Sequence, residues 1–264
     1  MRVNVLGSSS AGNCTLFVAG STRVLLDAGF SARETKQRLQ AIGEEIENIS
    51  GIVITHEHSD HIRGVPVLAR SLGIPVFVSR VSLDSWQSSK GGDEVNGCTF
   101  ITAEHSFQIG ELTFHPFAVP HDAADTLAFT VEAGGAKAGY VTDLGYIPQM
   151  VAEHLRGSDA IILEANHDLE MLRIGPYPWA LKQRVMSRHG HLSNDEMARF
   201  LRDDFDGRAQ CIVLAHVSRK NNHPEIARMA AIEALTARAT LFAQDVEQRV
   251  RVAHHDRPSE WIEL

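Results

Sequence analysis

Apolar and polar residues alternate from Arg2 to Leu6, and Cys14–Ala19 and Thr22–Leu26 are two further short apolar runs joined by Gly20-Ser21. Alternation with a period of two marks a half-buried strand, so the chain is expected to open on an antiparallel sheet. Gly7 to Asn13 is a run of small residues whose amides could form an anion nest or simply connect two strands. Ser31 with Glu34 is a capping box, and Gly43 closes the helix that follows. Gly51–Ile54 is wholly apolar, as a buried strand would be, and runs into Thr55. The pattern from His61 to Leu72 is helical and stops at Gly73. Ile74–Ser79 reads as a strand, Val81–Gln87 as a short helix and Ser88–Gly97 as a loop.

From Thr99 to Ala138 four or more strands with short turns are expected, among them Glu111–Val119 and Thr126–Ala133. Gly139–Thr142, Ala160–Leu163 and Gln210–Leu214 are strands, each followed by a polar residue of chemical interest. Between them lie a helix at Pro148–Leu155 and a mostly helical stretch at Asp168–Ser187, broken around Gly175-Pro176-Tyr177-Pro178. A further helix runs from a second capping box, Ser193 with Glu196, to about Asp204. Pro224–Ala237 is helical and Arg249–Ala253 a final strand. The order is β-rich then α, twice, with no fixed repeat and no linker. It predicts an α/β fold in a single domain over residues 1–264.

Composition adds bounds. The chain of 264 residues is 44% hydrophobic and 22% charged, which are globular values. No apolar stretch approaches the roughly 20 residues that span a bilayer, and the N-terminus has no basic segment followed by an apolar one. Cys14, Cys98 and Cys211 are scattered singly, which suits a reduced, cytoplasmic protein without sulfur-ligated metal. A net charge of −8 argues against indiscriminate nucleic-acid binding but leaves room for a local basic site. No protein partner is evident.

The 14 histidines change the picture. His56, His58, Asp60 and His61 fall within six residues directly after a buried strand. Imidazole and carboxylate are ligands for divalent cations, and the spacing suggests two ions. His56 and His58 alternate and can face one; Asp60 and His61, at a turn or helix start, can face another. Four strand-end residues repeat the theme: His121 after Pro120, Asp143 after Thr142, Glu164 after Leu163 and His216 after Ala215. Singly each would pass for a cap, a turn residue or a surface histidine.

Together, His56-x-His58-x-Asp60-His61, a lone His, a lone Asp after a strand and a late His resemble the metallo-β-lactamase superfamily. The resemblance implies a four-layered αββα sandwich and a binuclear site for two divalent metal ions, manganese or zinc. In it His56, His58 and His121 would hold one ion, Asp60, His61 and His216 the other, and Asp143 would bridge. Asp27, in Leu25-Leu26-Asp27-Ala28-Gly29, matches an early structural Asp rather than a ligand. Within the superfamily the chain resembles the YycJ/WalJ group of bacterial nucleases. It does so in Ser10-Ala-Gly-Asn-Cys14, Thr55-His-Glu-His-Ser-Asp-His61, Val119-Pro-His-Asp-Ala-Ala-Asp125, Asn166-His-Asp-Leu-Glu-Met-Leu172, Gly190-His-Leu-Ser-Asn194 and Leu214-Ala-His-Val-Ser218. That group implies a 5′→3′ exonuclease acting on double-stranded DNA.

Two ions about 4 Å apart would activate a bridging hydroxide for attack on phosphorus. Asp60 could both ligate and orient it. The leaving alkoxide still needs a proton. His191 with Glu164 is expected to supply it, an arrangement resembling the Glu–His pair of the ribonuclease Z branch, and His167 competes for the same role. Ser218, Arg219, Asn221 and Asn222 follow His216 and are candidate phosphate contacts. Arg173, Tyr177, Trp179, Lys182, Arg184 and Arg188 form a basic and aromatic segment that could track a DNA backbone or be an ordinary amphipathic helix.

Two rivals remain at this stage. A small-molecule hydrolase on the same scaffold (a cyclic phosphodiesterase, lactonase or thioester hydrolase) would share the ligand set, which cannot separate them. A non-catalytic metal-dependent binding protein is disfavoured by the complete ligand set.

Overall fold

Arg2–Ser9 (β1), Gly12–Ala19 (β2) and Thr22–Leu26 (β3) form the antiparallel meander that the alternation predicts. The small-residue run before Asn13 resolves as the tight β1–β2 hairpin: the Ser9 amide donates to Asn13 Oδ1, so it does not point at an open nest. The computed structural model of the chain describes residues 1–89, 95, 97–238 and 245–264. Most of the loop expected at 88–97 lies outside the described residues. The chain divides into two compact units, one made of 1–118, 123–136 and 254–264, the other of 119–122 and 137–253.

In the first unit, Ala32–Ala41 (α1) starts where the Ser31 hydroxyl accepts the Glu34 amide, as the capping box requires. Gly51–Val53 (β4) pairs parallel with β3. Ser59–Ile62 (α2) and Val65–Leu72 (α3) follow, then Val76–Val78 (β5), Arg80–Ser88 (α4) and Cys98–Phe100 (β6). With Ile262–Glu263 added antiparallel to β1, these strands make a seven-stranded mixed sheet. The single helix expected over His61–Leu72 is broken at Arg63-Gly64. Here the Gly64 amide donates to Ala28 O at 2.8 Å, and a Cβ on Gly64 would stand 2.2 Å from Phe30 O. Close packing of the chain on the turn after β3 outweighs helical continuity.

The central strands of this sheet are buried on both faces. Leu6, Leu16, Leu25, Ile52 and Val76 form one apolar cluster with Leu39 of α1 and Val65 and Leu68 of α3. Phe17 points the other way, as strand alternation demands, and meets Phe114 at 6.3 Å between ring centres. Phe114 lies on the middle strand of an antiparallel set, Phe107–Ile109 (β7), Leu112–Ala118 (β8) and Leu127–Ala133 (β9). Phe77 stacks on Phe107 at 5.2 Å on the same side. Within this unit, then, sheet packs on sheet and helices cover the outer face.

The second unit is a parallel ladder, Ala136–Val141 (β10), Ala160–Glu164 (β11), Cys211–Ala215 (β12) and Val250–Val252 (β13), in that order. β11 and β12 are buried over their full length, which explains why they read as unbroken apolar runs. The crossovers carry Gln149–Leu155 (α5), Leu169–Ile174 (α6), Trp179–Val185 (α7), Asn194–Arg199 (α8), Pro224–Arg238 (α9) and Val246–Arg249 (α10). The break between α6 and α7 falls at Gly175–Pro178, as expected. The helix from Ser193 continues beyond α8 in a wider turn over Phe200–Asp204. No described helix is long and apolar enough to cross a membrane.

Candidate metal centre

The polar residues singled out in the sequence stand where strands stop. Asp27 follows β3, Asp143 follows β10 and His216 follows β12, with φ of 60°, 61° and 52°. These left-handed conformations are unfavourable for residues with a Cβ. They turn the chain sharply at the sheet edge, so a side chain there leaves the sheet instead of continuing its alternation.

In the first unit, β4 gives way to Thr55, the His56–His58 turn and α2. The His56 ring lies 4.6 Å from His58 and 4.2 Å from His61, centre to centre. Asp27, fully buried, organises the cluster. It accepts the Thr55 amide at 2.9 Å, the Thr55 hydroxyl, and His61 Nδ1 at 2.7 Å. Burial pushes the Asp27 carboxyl up, and His61 and Thr55 oppose that. With Nδ1 held on a carboxylate, His61 presents Nε2 as its lone-pair nitrogen. Thr55 Oγ1 also lies 3.0 Å from His56 Nδ1. Asp60, at the first turn of α2, has its Oδ2 3.5 Å from His61 Nε2.

In the second unit, His121 Nδ1 donates to Gly190 O at 2.9 Å, again leaving Nε2 as the ligating nitrogen. Burial pushes the His121 imidazole down, against the pull of Asp143, and so favours the neutral ligating form. Asp143 Oδ1 is 2.9 Å from His216 Nδ1 and 3.9 Å from His121 Nε2. Asp143, Glu164, His191 and His216 each bring one ligand-type atom within 4.8 Å of the others.

Glu164 is fully buried. It accepts the Leu144 amide at 2.9 Å, the Leu192 amide at 3.3 Å, and His191 Nδ1 at 2.7 Å. Burial would raise its carboxyl, but the attraction of His191 and hydrogen bonds from His191 and His216 outweigh this and hold it at about 2. The same pairing overcomes burial at His191 and raises its pKa. His191 keeps a quarter of its side chain exposed. His167 is buried, and burial pushes its pKa down to about 4 despite Glu164 nearby. It is therefore neutral near pH 7, which makes it a poor proton donor.

These donors fit a divalent cation. In each unit one imidazole has its Nδ1 tied to an oxygen, which makes Nε2 its ligating nitrogen, and this is how outer partners orient metal-binding histidines. The remaining donors are carboxylates and nitrogens that zinc and manganese both accept.

Other expected contacts have different employment. Lys182 is buried, and its ammonium donates to Arg173 O at 2.6 Å, closing α6. Asn222 is buried, bonding to Ala165 O and Asn194, and Asn221 O accepts the Asp168 amide. Ser218 Oγ accepts amides from Asn221 and Lys220, bracing the turn after His216. Arg173 pairs with Glu170 and Arg184 with Asp122. Arg219 is exposed, Trp179 is 64% exposed, and the Lys220 ammonium lies 5.8 Å from the Tyr177 ring. Sequence reasoning missed Asn13 and Thr55 as neighbours of the ligands. Both are in motif segments, but their contacts reach across 48 residues and six.

Comparison with known proteins shows the family. Residues 22–217 match the family described as the beta-lactamase superfamily domain. The chain is 33% identical over 235 residues to exodeoxyribonuclease YycJ of Bacillus anthracis, covering 89% of each chain. It is 33% identical over 240 residues to exodeoxyribonuclease WalJ of Streptococcus pneumoniae serotype 2 strain D39, covering 89% of this chain and 88% of that one. Among solved structures, the metallo-beta-lactamase fold protein YhfI from Bacillus subtilis superposes with a TM-score of 0.71 at 16% identity, covering 98% and 99% of the two chains. The chain accordingly has the four-layered αββα fold, and it belongs to the metallo-β-lactamase superfamily and, within it, to the YycJ/WalJ group.

Proposed function

We propose that this chain is a hydrolase that uses two divalent ions, manganese or zinc, to degrade double-stranded DNA as a 5′→3′ exonuclease. The ligand assignment follows the family position by position: His56, His58 and His121 for one ion, Asp60, His61 and His216 for the other, Asp143 shared. Ions bound there would supply Lewis acidity, lowering the pKa of a water and neutralising charge on a phosphoryl oxygen.

The observation that carries a phosphodiester substrate is the Glu164–His191 pair at 2.7 Å. A thioester expels a thiolate that needs little protonation, whereas the sugar alkoxide of a phosphodiester needs a proton. Glu164, ionised and fixed by two backbone amides, takes His191 Nδ1–H and leaves Nε2–H to be given to the leaving oxygen. Asp60 would accept a hydrogen bond from the attacking water and aim its lone pair. Arg219, Tyr177 and Trp179 are the surface groups best suited to phosphate and base contact.

The test is digestion of duplexes labelled at either end, with and without a 5′-phosphate, in manganese and in zinc. Bis-p-nitrophenyl phosphate, a lactone and a thioester would be assayed alongside. Release of 5′-terminal nucleotides is expected. Lactone or thioester turnover with no phosphodiester cleavage in either metal would overturn the reading.

A further inference from the structure

Asn13 is the second residue of β2 and is fully buried. Its two ends do different things. Oδ1 accepts the Ser8 hydroxyl at 2.8 Å and the Ser9 amide at 3.1 Å, which braces the β1–β2 hairpin. Nδ2 faces three acceptors: Ser9 O at 3.0 Å, Asp60 Oδ2 at 3.2 Å and His61 Nε2 at 3.0 Å. An amide nitrogen has only two hydrogens, so one of these contacts is always surplus. Asp27 holds the proton of His61 on Nδ1, which makes Nε2 an acceptor. The Asn13 amide thus lies against the very lone pairs that Asp60 and His61 would give to an ion. The backbone reinforces the arrangement, since Gly29 donates to Asn13 O at 2.9 Å and Ala28 donates to His61 O at 2.8 Å.

We propose that Asn13 is a positioning residue for the ion assigned to Asp60 and His61, an inference that rests on the metal reading above. Its N–H groups hold the carboxylate and the imidazole side by side before the ion arrives. When the ion takes His61 Nε2, the amide keeps Ser9 O and Asp60 Oδ2 and fixes which carboxylate oxygen remains for the ion. The surplus acceptor is what lets this exchange proceed without stranding a buried N–H.

Calorimetric titration of the metal-stripped protein with Mn²⁺ tests this without an activity assay. Asn13→Ala removes both ends of the amide. Asn13→Ser keeps a short group able to brace the hairpin but too short to reach Asp60, and it serves should the alanine variant not fold. Either folded variant should bind one of two ions 10- to 100-fold more weakly and the other as wild type does. In an Asp60→Ala background the same Asn13 change should cost nothing further, because the carboxylate that the amide keeps once the ion has taken His61 Nε2 is gone. A wild-type isotherm in a folded Asn13→Ser protein, or a full additional loss in the Asp60→Ala background, would show that Asn13 only braces the hairpin. Absence of Mn²⁺ binding by the wild type would instead overturn the metal reading itself, and this inference with it.

Discussion

His191 and Glu164 make the sharpest prediction at the scale of single residues. If His191 protonates the leaving oxygen, His191→Ala should cut turnover of DNA by about 10²- to 10⁴-fold. It should spare bis-p-nitrophenyl phosphate, whose leaving group needs no proton. Equal losses on both substrates, read as kcat, would count against the acid role. Lys182 shows how far a residue type can mislead. A lysine in a basic stretch reads as a phosphate contact, but this one is buried with its ammonium on the Arg173 carbonyl. Nothing in a linear pattern distinguishes the two uses. Asn13 was in view only as part of a motif, because what it touches depends on a hairpin and a helix start 47 residues apart. The metal-ligand candidates were legible because histidine and carboxylate at strand ends are chemically conspicuous, whereas partners such as Thr55 and Gly190 are common residues whose work is done by hydrogen bonds.

The same contrast holds for elements. Strands and helices with clean periodicity or caps came through: the meander over Arg2–Leu26, the helices that begin at Ser31 and Ser193, and the parallel strands ending at Glu164 and Ala215. The split between α2 and α3 did not, since it is imposed by the turn that follows β3. Gly29 in that turn has no room for a side chain: a Cβ would stand 1.6 Å from the Asp60 carbonyl. Gly29→Ala should therefore cost about 1–3 kcal/mol in urea unfolding and displace α2, with weakened metal retention as the companion readout. On α7, Trp179 follows Pro178 and is mostly exposed. Trp179→Ala is expected to raise KM for DNA several-fold and leave turnover of the small phosphodiester unchanged, as loss of a stacking surface would. Identical KM values would remove it from the DNA contact set. At the start of the parallel ladder, Asp159 Oδ2 accepts the Lys137 amide at 2.9 Å, and its backbone O accepts the Gln210 amide. The Lys137 hydrogen bond and the Arg208 guanidinium hold the Asp159 carboxyl below its usual value. A depressed carboxylate stabilises the fold above its unfolded pKa and loses that contribution as pH falls through the folded one. Asp159→Asn should thus be less stable than wild type at pH 7, with the gap closing in acid below about pH 4. A gap independent of pH would refute the ionic contribution.

For the whole molecule, ligands that bind only the native chain raise its stability by mass action. Mn²⁺ or Zn²⁺ at 100 times its dissociation constant should add about 2.7 kcal/mol, and a chelator should remove it. A melting temperature indifferent to chelator would contradict metal binding by the folded state. Against that background stand Asp27, Asp143 and His216 in left-handed backbone. Each such residue costs on the order of 1 kcal/mol that glycine would not incur. Selection for thermal resistance alone is therefore expected to enrich glycine or asparagine at positions 143 and 216, whereas Asp27, whose carboxylate accepts buried hydrogen bonds from Thr55 and His61, would be retained. Selection for nuclease activity would hold the three in place. The chain keeps a conformational cost at its strand ends, and variants sorted for heat tolerance are expected to lose the proposed metal site there first.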